Sequence, residues 1–151
     1  MPKSLQPILF RRPLALREKT DGTHGKVYLR RFRVFIGGFG GPNYGVRWAR
    51  GKLRYRIDNN PCKLKIEPSS AEWKKFWYSV GRCGLWNWEA RYDNEEVCDG
   101  TRGEIDIQIG RRIVRSWGSN AYPGGDSLQY SPAFRQFLDA VQELLGGRRF
   151  G

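Results

Sequence analysis

Lys52-Leu53-Arg54-Tyr55-Arg56-Ile57 alternates without a break, with Leu53, Tyr55 and Ile57 on one side and Lys52, Arg54 and Arg56 on the other. Successive side chains of a β-strand point to opposite faces, so these residues read as a strand with one apolar and one cationic face. A sheet with a core on one side and water on the other is characteristically antiparallel, joined by short turns.

The flanking sequence supplies the partners. Tyr44 to Arg50 reads as a strand with Val46 and Trp48 on one side, and the glycine-rich stretch from Gly37 to Asn43 reads as the turn before it. Upstream, from Lys26, Tyr28, Phe32, Val34 and Ile36 alternate with Val27, Leu29, Arg31, Arg33 and Phe35. In that register Arg30 is the one charge on the apolar side. Downstream, Asn59-Asn60-Pro61 forms a turn, after which Cys62, Leu64 and Ile66 alternate with Lys63 and Lys65 in a short fourth strand.

The apolar face needs a cover, and two segments have helical spacing. Ser69 and Glu72 stand at capping-box separation, and Trp73, Phe76, Trp77 and Val80 then recur at i, i+3, i+4 and i+7, which predicts a helix over Ser70 to Val80. Ser131-Pro132 gives an N-cap and a first-turn proline, with Phe134, Phe137, Leu138, Val141, Leu144 and Leu145 forming the stripe of a helix over Pro132 to Leu145. Between them, Leu85 to Tyr92 reads as a strand carrying Trp86, Trp88, Ala90 and Tyr92 on one face. Glu104 to Ile109 reads as a strand with Ile105, Ile107 and Ile109 inward, and Gly110-Arg111 turns the chain into another over Arg112 to Trp117.

The expected fold class is therefore α+β: a mainly antiparallel sheet of six or seven strands with two helices on one face. Leu53, Tyr55, Trp73, Trp77, Ile105, Ile107, Phe137 and Val141 should be buried together. The expected division is an N-terminal arm over 1–25, one domain over 26–147 and a tail over 148–151.

Where the chain reads Asp99-Gly100-Thr101, Gly118-Ser119-Asn120-Ala121-Tyr122-Pro123 and the closing phenylalanine-rich helix, it resembles a loose group of small uncharacterised bacterial proteins. The resemblance spans roughly Ser69 to Leu145, although Gly103 stands where that group tends to have Trp. It implies a fold and no chemistry.

Charge is the strongest functional signal. The chain carries +12 overall, and the excess is confined to its first part. Residues 1–66 hold sixteen Lys and Arg against three acids, whereas the remainder holds eleven against twelve. Asymmetry of this kind points to a polyanionic partner. Alternation collects Arg31, Arg33, Arg47, Lys52, Arg54, Arg56, Lys63 and Lys65 on the face away from the core, and such a face would neutralise phosphates of DNA or RNA without sequence preference. Phe32, Trp48 and Tyr55 fall on the apolar side and only Phe35 among the arginines, so contact with the nucleic-acid backbone is expected rather than base stacking. A competing reading is an interaction module, of the immunity or antitoxin type, that docks an acidic protein on the same face. In a third, the positive charges only pair across strands with Glu104, Asp106 or Glu89.

Enzymatic readings fit less well. Gly103-Glu104-Ile105-Asp106-Ile107 resembles a strand of restriction-like metal-dependent nucleases, but the following strand, Arg112 to Ser116, lacks the carboxylate-x-Lys that such a site uses. Cys62, Cys83, Cys98 and His24 show no structural-zinc spacing, and Asp93, Asn94, Glu95, Glu96 and Asp99 lack the ligand order of a calcium loop. The glycines of 37–45 precede neither Gly-Lys-Ser/Thr nor a helix, as a phosphate-binding loop requires. No catalytic set, metal or cofactor is therefore expected. Three irregularly spaced cysteines and the lack of a long apolar run point to a cytoplasmic protein with no membrane association.

Overall fold

A computed structural model of the chain describes residues 29–38, 40–58, 64–94, 100–124 and 129–151. The expected arm over 1–25 lies outside the described residues, as do Lys63, Cys62 and Cys98.

Strict alternation becomes a meander of four antiparallel strands: β1 (Leu29–Gly38), β2 (Tyr44–Ala49), β3 (Lys52–Ile57) and β4 (Leu64–Ile66). The link between β2 and β3 is the two-residue turn Arg50-Gly51, with φ of 52° and 79°. Positive φ at both central residues gives a hairpin turn whose twist matches that of the strands. A second hairpin, β6 (Thr101–Ile109) and β7 (Arg112–Ser119), turns at Gly110, φ 59°. The two units join where β1 pairs with β6, and β5 (Arg91–Asp93) closes the far edge parallel to β7. The order is β4-β3-β2-β1-β6-β7-β5, a seven-stranded mixed sheet that is antiparallel at every pairing but the last.

Both helices lie on the apolar face. α1 (Ser70–Arg82) has the capping box expected: the Ser69 hydroxyl accepts from the Glu72 N–H, and the Glu72 carboxylate accepts from the Ser69 N–H. α2 (Pro132–Leu144) is capped by Ser131. Phe32 of β1 meets Trp73 and Phe76 edge-on or tilted at 5.7 and 5.5 Å, and Trp48 of β2 meets Trp73 at 5.8 Å, so α1 covers the first two strands. On the outside the helices are bridged by Lys75 and Glu143, 2.7 Å apart. All eight residues expected to share the core do so. Among the described residues, no helix is long and apolar enough to cross a membrane.

Ile57 and Leu64, expected on the apolar side, are exposed, and three further features depart from the sequence reading. Leu85 to Tyr92 is not one strand: Leu85–Asn87 is a 3-10 turn and only Arg91–Asp93 joins the sheet. The tryptophans mimic strand alternation while packing on helices, Trp86 stacked with Trp77 at 6.1 Å and Trp88 edge-on to Phe137 at 5.4 Å. Arg30 is exposed rather than facing the core, because a register irregularity between Leu29 and Arg31 lets Leu29 turn inward and Arg30 out. The residues after α2 fold back onto the core: Phe150 is 2 % exposed against Tyr44, and the Tyr55 hydroxyl donates to the Arg149 carbonyl at 2.6 Å.

Of the residues that carry the resemblance to the bacterial group, Asp99 lies outside the described residues, and Thr101, Asn120, Tyr122 and Pro123 make structural contacts. Asn120, at φ 57°, accepts the Thr101 N–H through Oδ1 and donates its own N–H to the Thr101 carbonyl, both at 3.0 Å. Tyr122 packs on Tyr130 and Phe134, and the Ser131 hydroxyl donates to the Pro123 carbonyl. Together they tie the ends of β6 and β7 to the start of α2.

Candidate nucleic-acid interface

Both helices lie on one side, no described helix covers the opposite sheet face, and strand register decides what meets on it. Lys65, Arg54, Arg47 and Arg33 stand directly opposite one another on four successive strands, and Asp106 and Arg115 continue the row onto β6 and β7. Two residues along each strand lies a second row: Arg56, Gly45, Phe35, Glu104, Trp117 and Arg91. The first row is nearly all cationic. The second holds the aromatic side chains Phe35 and Trp117.

Pairing divides the face sharply. Asp106 Oδ1 accepts from Arg31 Nε at 2.7 Å and from Arg115 Nε at 3.3 Å, and Arg91 pairs with Asp93 at 2.8 Å. Among the described residues, Arg33, Arg47, Arg54, Arg56 and Lys65 form no ion pair, and Arg54 Nε is buried without a hydrogen-bond partner. Glu104 forms no ion pair there either, despite the arginines around it. Of the cations expected on this face that are among the described residues, only Arg31 pairs across strands. Glu89 contributes its backbone carbonyl to the Ser116 hydroxyl.

Between the rows lies a concavity of about 550 Å³, lined by Arg33, Phe35, Gly45, Arg47, Arg54, Arg56, Arg102 and Glu104. Gly45 creates the dip, since its neighbours across the strands are Phe35 and Arg56 and it puts no side chain between them. A Cβ built at Gly45 would meet nothing closer than Arg56 Nε at 3.3 Å.

The structure thus gathers Arg33, Arg47, Arg54 and Arg56 around one concavity, with Lys65 beside Arg54. Lys52 is exposed at the Arg50-Gly51 end, opposite Ala49, and Arg31 is engaged by Asp106. Sequence reading missed four participants: Arg102, Gly45, Glu104 as an unpaired acid, and Trp117. The last was legible from the Gly110-Arg111 turn, which sets Ile109 against Arg112 and hence Glu104 against Trp117.

Asp106, with Oδ1 already shared by two guanidinium groups, is poorly placed to act as the open carboxylate of a nuclease site. Among the described residues, no three His, Cys, Asp or Glu cluster at metal-binding distance. Cys83 is buried at the end of α1, its thiol donating to the Val80 carbonyl, and burial pushes its pKa up to about 11. A thiol so held is a poor nucleophile at neutral pH. Compared with known proteins, the chain matches no family model and no curated relative.

Proposed function

We propose that the protein binds nucleic acid without strong sequence preference, acting as a binding protein rather than a catalyst, through the cationic row of β1 to β4. The observation that carries this reading is that Lys65, Arg54, Arg47 and Arg33 face one another in register with no acid between them and no ion pair among the described residues. Like charges directly opposite across strands destabilise a sheet. A phosphate backbone supplies the missing counter-charge and releases its own counterions in doing so.

The test is a salt titration of binding to duplex and single-stranded DNA. If about five phosphates are neutralised, log K falls against log salt with a slope of about −4.5 for duplex and −3.5 for a single strand. Replacing Arg54 and Arg56 together by Ala flattens that slope by roughly 1.4 to 1.8 and weakens unrelated sequences alike. No binding to either form at ~0.15 M salt would refute the reading and leave the face to an acidic protein, whose capture survives nuclease digestion.

A further inference from the structure

We infer that the nucleic acid taken by this face is single-stranded, with one unpaired base seated in the concavity over Gly45 and against Phe35. This rests on the nucleic-acid reading above and adds a strandedness and a base subsite to it.

The two rows suit the two parts of a nucleotide. Lys65, Arg54, Arg47 and Arg33 make a cationic track spanning three strand spacings, roughly 14 Å. The second row runs parallel to it, displaced by two residues along each strand, or about 6.7 Å. That displacement carries a chain from phosphate to base, and between Arg56 and Arg91 at its two ends the second row carries Gly45, Phe35, Glu104 and Trp117 in place of cations.

Gly45 is the telling residue. It sits within β2, outside any turn and without positive φ, where a side chain would ordinarily improve the strand. Glycine at such a position marks a site where another group approaches the backbone closely. The resulting space, about 550 Å³, falls in the range of small-ligand pockets. A duplex keeps its bases stacked inside and presents phosphates outward, so it has nothing to put there. A single strand has an unpaired base, and Phe35, half-buried in the floor of the concavity, offers it a stacking surface flanked by guanidinium groups.

Glu104 restricts the choice of base. An ionised carboxylate only accepts hydrogen bonds, and it repels a phosphate. It therefore marks where the backbone does not run and favours a base with an exocyclic amino group, as when Glu accepts from cytosine N4. Thymine and uracil present no amino group. Trp117, on the far side of Glu104, offers a second ring, already held by Arg91 at 5.0 Å.

The experiment measures affinity of the full chain for four ligands of about 12 nucleotides: oligo(dC), oligo(dT), an abasic strand of equal charge, and a duplex. Oligo(dC) is expected to bind tightest, and the abasic strand roughly tenfold more weakly. Gly45→Val fills the concavity without removing a charge, its Cβ shifting only the flexible Arg56 side chain that it would meet at 3.3 Å, and Phe35→Leu keeps the site apolar but removes the ring. Both should fold as the parent by circular dichroism and melting, lose about tenfold on oligo(dC), and keep the parental abasic affinity and salt slope. Glu104→Gln should erase the preference for oligo(dC) over oligo(dT). Equal binding of oligo(dC) and the abasic strand, or unchanged oligo(dC) affinity in folded Gly45→Val and Phe35→Leu, overturns the base subsite while leaving the phosphate reading intact. Tighter binding of the duplex overturns the strandedness. Failure to bind any of the four sinks both readings together.

Discussion

The solvent face of the sheet has two halves that solve the same electrostatic problem in opposite ways. Toward β6, β7 and β5 cations are answered: Asp106 holds Arg31 of β1 and Arg115 of β7, and Asp93 holds Arg91, while Glu104 and Arg102 of β6 form no ion pair among the described residues. On β1 to β4 the register aligns Arg33, Arg47, Arg54 and Lys65 with no acid among them. The same sheet thus contains an internal control. Signs are interleaved around Asp106 and Asp93 but not along the row from Arg33 to Lys65. That row is a local cost in stability, which on the proposed function a bound polyanion would offset.

The comparison breaks most readily at the level of binding. Arg47→Glu with Arg54→Glu inverts two charges of the unmatched half and should weaken nucleic-acid binding by roughly 100-fold or more at ~0.15 M salt. Arg91→Glu with Arg115→Glu changes net charge equally in the matched half and should cost only a few-fold. Equal losses, read by fluorescence anisotropy, would mean that net charge alone matters and that the two halves do not differ in function.

Stability should move in opposite directions in the two halves, by less. Asp106→Asn strips both Arg31 and Arg115 of their partner, and since Arg31 is partly buried the expected loss is about 1 kcal/mol in urea unfolding. Arg47→Thr removes one of the facing cations, puts a good strand former in its place and should gain about 0.5 kcal/mol. A gain from Asp106→Asn or a loss from Arg47→Thr would reverse the assignment of matched and unmatched halves.

The smallest effect lies beneath the unmatched half, at the start of α1. The Ser69 N–H, and then its hydroxyl, hold the Glu72 carboxyl below its ordinary value of 4.5. A depressed carboxyl contributes stability that is fully present above the ordinary value and fades as pH falls through the lowered one. Glu72→Gln keeps an acceptor for the Ser69 N–H but cannot titrate, so it should slightly flatten the acid limb of stability below pH 4.5 and leave the neutral region almost unchanged. An unaltered acid limb would remove Glu72 from the acid response.

Much of this was legible in the sequence because the residues concerned have one dominant environment. Leu53 and Tyr55 alternate with arginines and can face only one way, and the Trp73 to Val80 stripe has no strand reading. The segment from Leu85 to Tyr92 failed for a physical reason: large aromatics at every second position look identical whether they face a sheet core or, like Trp86 and Trp88, reach back to helices from an irregular turn. Arg30 was misplaced because an irregularity in a ladder leaves no trace in hydropathy. The cationic half of the site was readable from alternation, whereas the concavity was not. It depends on which residue of β1 and β3 lies beside Gly45, and register between strands is a property of pairing rather than of any one segment.

The seam between β1 and β6 has a further consequence for the order in which the molecule assembles. Its paired residues are more than sixty positions apart in the chain, whereas β1 to β4 pair with immediate neighbours. Closing a long loop is entropically slow, so the local meander can form before the seam does. During that interval the meander concentrates arginine on one surface while Asp106, which stands in register beside Arg33 and pairs with Arg31, is still absent. Electrostatic self-repulsion is then expected in the folding barrier, and ions that screen it should speed folding more than they slow unfolding.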